Sequence, residues 1–379
     1  MAADAGRRLR RAFGPSLRPR AQSSRLRLGI IFGGRSGEHE VSVVSAQHVI
    51  AAADRERFQV VPIGITRSGA WLTPQETEAV LARDEPLYQK TLDTGYAGGE
   101  GLLARPQALE VLGRVDVVFP LIHGPYGEDG TLQGLLEMAD VPYVGAGVAA
   151  SAIGLDKALM KALFAQAGLP VPDYRVALGW RWESDQQTVT RELEAAMDYP
   201  WFVKPANGGS SVGITKVRSR EDLAEAVQLA LRYDRKLVLE RAVQGREIEC
   251  AVLGNDDPQT SPLGEIVYQR EFYDYEAKYL DPNTQLIAPA AVPSETAARI
   301  QAMAVQAYRA IDCAGMSRVD FFLLPDGTVY LDEINTIPGF TPISMFPRLW
   351  QLAGLTYSQL ISRLVDLALE RHEEKRRRA

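Results

Sequence analysis

Cysteine is scarce. The 379 residues hold two, Cys250 and Cys313, far apart and both in apolar segments. That excludes a disulfide framework and makes a zinc site improbable; two buried thiols in a reducing, cytoplasmic setting fit better. Long apolar runs are also missing. None approaches the roughly 18 residues of a spanning helix, so no membrane segment is expected. The body of the chain is short of positive charge. Residues 1–27 hold eight Arg against one Asp, a net of +7 within a chain of net −6, which leaves −13 for the rest. Such an acidic body argues against nucleic-acid binding. The basic segment 1–27 reads as a disordered extension, although its Arg-rich, acid-poor character also resembles a transit peptide. Residues 373–379 read as a solvated tail. Repeats and low-complexity tracts are absent from the body.

What is present is ordinary for a globular chain, 46% hydrophobic and 24% charged, and long enough for two or three domains. Residues 28–148 alternate strand and helix: "LGIIFGG", "EHEVSVVSAQHVIAAA", "FQVVPIGIT", then "VDVVFPLIHG", "TLQGLLEMA" and a last strand "VPYVG". Near-continuous apolar strands between helices predict a parallel sheet covered on both faces. Residues 72–110 are poorly periodic and predict helix fragments and loops. A helix "ALMKALFAQAG" opens the region 149–239, in which "PWFVKP" and "VGITKV" are strands around a loop. The region 240–372 carries the strand "EIECAVLG", the hairpin "RVDFFLLPDGTVYLDEIN" and a closing helix. The polar, Tyr-rich residues 265–290 read as a lid loop.

The hairpin poses a problem of charge. Asp-Gly between apolar runs predicts a two-residue turn. Asp320 then faces Glu333, Arg318 faces Asn335, and all four project from one face. Facing carboxylates destabilise a strand pair unless something neutralises them. Asp320, Glu333 and Asn335 offer the oxygen ligands that Mg²⁺ takes, with Arg318 placed to stabilise charge on a transferred group. The less favoured reading is a surface salt-bridge cluster. "KPANGGSSVG" reads as a phosphate-cradling loop, with Lys204 as a point charge, close backbone approach at Gly208 and Gly209, and hydroxyls from Ser210 and Ser211. It lacks the GK[ST] of a Walker loop. "GAGVAA" superficially matches a dinucleotide fingerprint, but no acid follows about 20 residues on. Glu38 and Glu40 at a helix start either complement its dipole or face a ligand. His123 stands in a glycine-rich loop at the same sheet end.

Together "GGRSGEHEVS", "HGPYGEDGTLQG", "KPANGGSSVGITKV", "FYDYEAKY", "RVDFFL" and "DEINTIPGFTPISMFP" resemble the D-alanine–D-alanine ligases of the ATP-grasp superfamily, from Leu28 to about Leu369. The resemblance implies a three-domain α/β fold with ATP between the regions 149–239 and 240–372. It implies two Mg²⁺ ions (Mn²⁺ as a substitute) on Asp320, Glu333 and Asn335. Lys157, Lys204 and Lys278 become phosphate contacts. Glu240, the backbone of Arg241 and Val243, and Glu247 hold adenine and ribose, with Phe272 on the base. Arg318 and the N–H of Gly339 form an oxyanion hole. Glu38 and His123 lie at the first D-alanine, and Ser344 with the Met345 backbone at the carboxylate of the second. Glu38, Ser210 and Tyr279 form a chain that closes the lid. A homodimer is the family expectation. The departures are Arg241, where the family often has Lys, and His39, where some relatives have Arg. Alternatives are another ATP-grasp carboxylate–amine or D-alanine–D-lactate ligase, and a silent nucleotide-binding regulator. Every metal and catalytic position is filled, which disfavours the regulator.

Overall fold

The computed structural model describes residues 25–83, 92, 109–268 and 284–378. The expected lid residues Phe272, Lys278 and Tyr279 lie outside them, as do residues 1–24 and most of 84–108.

Strands β1 (Leu26–Gly33), β2 (Phe58–Ile65) and β3 (Val117–Pro120) form a parallel sheet in the order β2-β1-β3. Burial on both faces explains why their sequences are apolar beyond Arg27 and Gln59 near the strand starts. Leu28, Ile30 and Phe32 pack with Val43 and Val49 of helix α1 (His39–Ala52), while Ile31 packs on the other face with Leu132 and Leu136 of helix α3 (Thr131–Met138). Helix α2 (Pro74–Leu81) starts at Thr73, which forms a capping box with Glu76. The expected strand in "VPYVG" does not form. Val118 exchanges two backbone hydrogen bonds with this segment, to Pro142 O and from Val144 N. Only an isolated bridge to Tyr143 results, because Pro142 has no N–H with which to extend the ladder. The strand expected over 115–124 is likewise reduced to β3.

Helices α4 (Val148–Leu155) and α5 (Lys157–Gln166) follow, α5 capped by Asp156, which accepts from Ala158 N and Leu159 N. Next comes an antiparallel sheet of β4 (Tyr174–Leu178), β5 (Trp201–Pro205), β6 (Thr215–Val217) and β7 (Lys236–Arg241), in the order β4-β7-β5-β6. Helices α6 (Gly179–Ser184), α7 (Gln186–Ala196) and α8 (Arg220–Leu231) belong to this region. Trp201, Val203, Leu237 and Leu239 pack against Val189 and Leu193 of α7 and Leu223 and Val227 of α8. Period two then puts Lys204, Val238 and Glu240 on the opposite face, toward α5. The division drawn after residue 239 falls inside β7, which runs on to Arg241.

The third sheet is antiparallel, in the order β10-β9-β8-β11-β12: β8 (Arg246–Gly254), β9 (Gln259–Val267), β10 (Gln285–Ile287), β11 (Gly315–Leu323) and β12 (Val329–Asn335). Helix α9 (Ser294–Ala310) covers one face with Ile300 and Ala304 against Ile248, Cys250, Val319 and Phe321. Helices α10 (Met345–Leu352) and α11 (Tyr357–Arg378) pack with Ala251, Leu253 and Met316 on the other face and with the first sheet. Both ends of the expected 265–290 lid are strand, Val267 pairing with Gln285 and Glu265 with Ile287. Backbone ladder bonds thus claim residues whose polarity had suggested a loop.

In the hairpin, Arg318 pairs with Asn335 and Asp320 with Glu333, as expected, but the turn is not two residues long. Leu324 N donates to Thr328 O at 2.9 Å, enclosing Pro325, Asp326 and Gly327. Gly327 takes φ +86°, the left-handed residue that a three-residue loop requires. The one-residue offset is undone by a bulge: Phe321 pairs with Leu331, leaving Asp332 as the extra residue beside Glu333. The bulge also allows Leu331 and Ile334 both to be core while Asp332 and Glu333 line a cavity.

Candidate active site

The site faces of the sheets meet around a cavity of about 390 Å³. From the first sheet come Glu38, after β1, and His123, after β3, both at carboxyl ends of parallel strands, where such sheets bind ligands. The second sheet contributes Lys204, Glu240 and the loop 208–211, and α5 contributes Lys157. Val243 and Glu247 come from the crossing into β8, Arg318, Asp320, Glu333 and Asn335 from the hairpin, and Gly339, Ser344 and Met345 from the loop leading into α10.

Arg318 is fixed by two carboxylates. Its Nε and Nη2 donate to Asp320 Oδ1 and Oδ2 at 2.8 and 2.6 Å, and Nε lies 2.8 Å from Glu249 Oε1. Burial disfavours its charge, but Asp320 and Glu249 more than reverse this, and its pKa is raised. Asn335 Nδ2 donates to Asp320 Oδ2 at 2.9 Å and reaches Glu333 Oε1 at 3.4 Å. The facing carboxylates are therefore drawn together by an amide and partly neutralised by Arg318. Two carboxylates and one amide on a single face remain the donor set of a hard divalent cation, although Asn335 must turn its amide over to offer oxygen. Carboxylates also outnumber cationic side chains along the described cavity wall, so a polyphosphate entering there needs added positive charge. The residues fit Mg²⁺.

The loop after β5 is held close to the first sheet: a Cβ built on Gly209 would meet Glu38 Oε2 at 3.3 Å. Ser210 and Ser211 take φ +49° and +57°, a left-handed conformation costly for serine and of the kind that functional sites retain. Lys157 Nζ donates to Gly208 O at 2.6 Å, and burial lowers its pKa. Lys204 Nζ donates instead to Glu240 Oε1 at 2.7 Å. Arg241 lies outside the cavity lining, its N–H donated to Asp173 O, and its side chain reaches Tyr330 OH at 3.4 Å. Ser344 Oγ sits 2.8 Å from Thr341 Oγ1 and accepts from Thr341 N at 3.1 Å.

Some residues at the site were not singled out from sequence. Glu128 accepts from Gly124 N at 2.6 Å and Ile337 N at 3.2 Å, tying two loops together. Burial, with Glu38 nearby, pushes its pKa up to about 8. His123, which the sequence did single out, bonds Ile337 O through Nδ1 at 3.1 Å; its buried Nε2 has no hydrogen-bond partner among the described residues, and burial lowers its pKa. Lys161 stands one helical turn beyond Lys157, a spacing legible in "KALMKALF". Glu249 and Asp332 escaped because nothing in the sequence announces the bulge or which strand lies beside β11. His39 is accounted for structurally: it is buried, Nδ1 bonding Gly34 O at 2.8 Å and Nε2 accepting from Leu92 N at 3.3 Å.

Two sheets enclosing a cavity with lysines on one wall and hairpin carboxylates on the other define an ATP-grasp enzyme. The family models for the D-ala D-ala ligase N-terminus and C-terminus match residues 27–146 and 163–366. A D-alanine–D-alanine ligase of Heliobacterium modesticaldum is 51% identical over 354 residues, covering 93% of this chain and 97% of that protein. One of Geobacillus thermodenitrificans is 49% identical over 358 residues, covering 92% and 97%. Among solved structures, the VanG D-Ala:D-Ser ligase of Enterococcus faecalis superposes with a TM-score of 0.78 at 36% identity, covering 91% of this chain and 100% of that one. The Coxiella burnetii D-alanine–D-alanine ligase gives 0.76 at 33%, covering 94% and 97%. The chain belongs to the D-alanine–D-alanine ligase family.

Proposed function

We propose that this ligase joins two D-alanine molecules at the expense of ATP, through a D-alanyl phosphate. The observation that carries the reading is the convergence, on one cavity, of Lys157, Lys204 and a Gly-Ser loop with the Asp320–Glu333–Asn335 face and a doubly anchored Arg318. A carboxylate oxygen of the first D-alanine attacks the γ-phosphorus and ADP departs, turning a poor leaving group into phosphate. The amine of the second D-alanine attacks the acyl carbon, and phosphate leaves. Arg318, held rigid by Glu249 and Asp320, and the N–H of Gly339 stabilise the oxyanion between these events. Asp320, Glu333 and Asn335 would hold Mg²⁺, which supplies positive charge against the transferring phosphoryl group. Lys157, Lys204 and Lys278 contact phosphates, while Glu240, Val243, Glu247 and Phe272 receive adenosine.

Glu38 takes the ammonium of the first D-alanine, helped by His123, and Ser344 with the Met345 backbone takes the carboxylate of the second. Glu38, Ser210 and Tyr279 link the first sheet, the phosphate loop and the lid, excluding water from the acyl phosphate. We read residues 28–148, 149–239 and 240–372 as the three working parts, within a cytoplasmic homodimer. The test is phosphate release with ATP, Mg²⁺ and a panel of D-alanine, D-serine, D-lactate and L-amino acids. D-Alanine alone should support turnover and yield the dipeptide by mass spectrometry. Release that needs D-lactate or D-serine would reject D-alanine as the second substrate, and release independent of any amino acid would reject ligation.

A further inference from the structure

One charge cluster in the cavity wall, formed by Lys204, Glu240 and Asp332, is backed by Lys161, a residue given no role above. Lys157 and Lys161 occupy the same face of α5, but only Lys157 lines the cavity. Lys161 is 1% exposed, its Nζ 2.5 Å from Glu240 Oε2 and 3.6 Å from Asp332 Oδ1. It also donates to Asp332 O at 3.1 Å, on the extra residue of the bulge. Glu240 is 2% exposed and holds Lys204 on its other oxygen at 2.7 Å, with Lys204 3.8 Å from Asp332 Oδ1. Two ammonium groups thus balance two carboxylates. Burial would push Glu240 toward its neutral form, and Lys161 and Lys204 together hold it charged, well below the usual carboxylate range.

This arrangement, joined to the nucleotide reading above on which the inference rests, creates a conflict for Lys204. A phosphate that Lys204 meets competes with Glu240 for its charge, and a buried carboxylate deprived of its counter-ion is strongly unfavourable. We propose that Lys161 is a positioning residue for the nucleotide: it remains on Glu240 as the permanent counter-ion and so releases Lys204 to the phosphates. Lys161 itself touches neither phosphate nor base. Without it, Glu240 retains Lys204, and the phosphate-bearing ligand loses a cation while the adenosine part of the site stays intact.

Isothermal titration of ADP and of adenosine tests this, together with KM for ATP and for D-alanine. Lys161→Met should weaken ADP and raise KM for ATP by about tenfold or more, while adenosine binding and KM for D-alanine change less than about threefold. In a Glu240→Gln/Asp332→Asn background, which leaves neither carboxylate of the cluster charged, adding Lys161→Met should alter ADP affinity by less than about threefold. That second comparison also serves if the single variant does not fold, since it leaves no carboxylate of the cluster charged. Equal losses for ADP and adenosine, or the same loss in both backgrounds, would mean a merely structural lysine. Unchanged ADP binding in Lys161→Met would overturn the inference alone. Failure of the unaltered enzyme to bind ADP, or of Lys204→Met to weaken it, would overturn the nucleotide reading as well.

Discussion

Two charge clusters lie side by side along β12, and they differ in whether they balance themselves. Asp332 belongs to a set in which Lys161 and Lys204 offset Glu240 and Asp332. Its neighbour Glu333 belongs to a set on the same cavity, where Arg318 stands among Asp320, Glu249 and Glu333. The first set is stable as it is and changes only by handing over one lysine. The second carries excess negative charge in the apo protein, a cost that a bound cation removes. A bulge of one residue decides which carboxylate serves which set. A self-compensated set persists without ligand; residual charge marks the place where a cation is needed.

The contrast is sharpest in Glu333→Gln. Loss of one carboxylate from the uncompensated set should lower turnover by about a thousandfold or more, while the melting temperature stays level or rises because repulsion is relieved. A coupled ADP assay at ordinary Mg²⁺ and a thermal melt measure the two effects; full activity would reject the metal assignment. Tyr279→Phe should cost about tenfold in turnover, the worth of one hydrogen bond closing the lid. Unaltered steady-state kinetics would remove Tyr279 from the closing chain.

Glu128 predicts a smaller, pH-dependent effect. Its folded pKa of about 8 lies above the unfolded value, so the native state holds the extra proton between roughly pH 4.5 and 8. Stability therefore falls as pH rises through that window, by at most about 1.4 kcal/mol per unit for one proton. Glu128→Gln should flatten the melting-temperature profile between about pH 5 and 8; a parallel profile would reject the shift. Deleting residues 2–24 should change neither activity nor melting temperature, because that stretch has no apolar periodicity with which to bury surface.

Chemistry was more legible in the sequence than geometry. The Arg318–Asn335 and Asp320–Glu333 pairings were expected, but from a turn that is one residue too short; the bulge at Asp332 compensates for it. Local patterns report turn chemistry and period, and a bulge interrupts period without altering composition, so it leaves no mark. Lys161 illustrates a different gap. Its spacing from Lys157 was visible, but its partners Glu240 and Asp332 arrive from β7 and β12, far along the chain. "VPYVG" looked like a strand and became a single bridge because Pro142 cannot donate. The parallel sheet, by contrast, is readable at once, since strands buried on both faces run almost wholly apolar.

The most direct test of the ligation chemistry follows oxygen. D-Alanine labelled with ¹⁸O in its carboxylate is turned over with ATP and Mg²⁺, and the released phosphate is analysed by mass spectrometry. Attack of the carboxylate on the γ-phosphorus, followed by amine attack on the acyl carbon, transfers one labelled oxygen to every phosphate released and leaves the other in the dipeptide. Unlabelled phosphate accompanying dipeptide formation would contradict the acyl phosphate and the account of the site built on it.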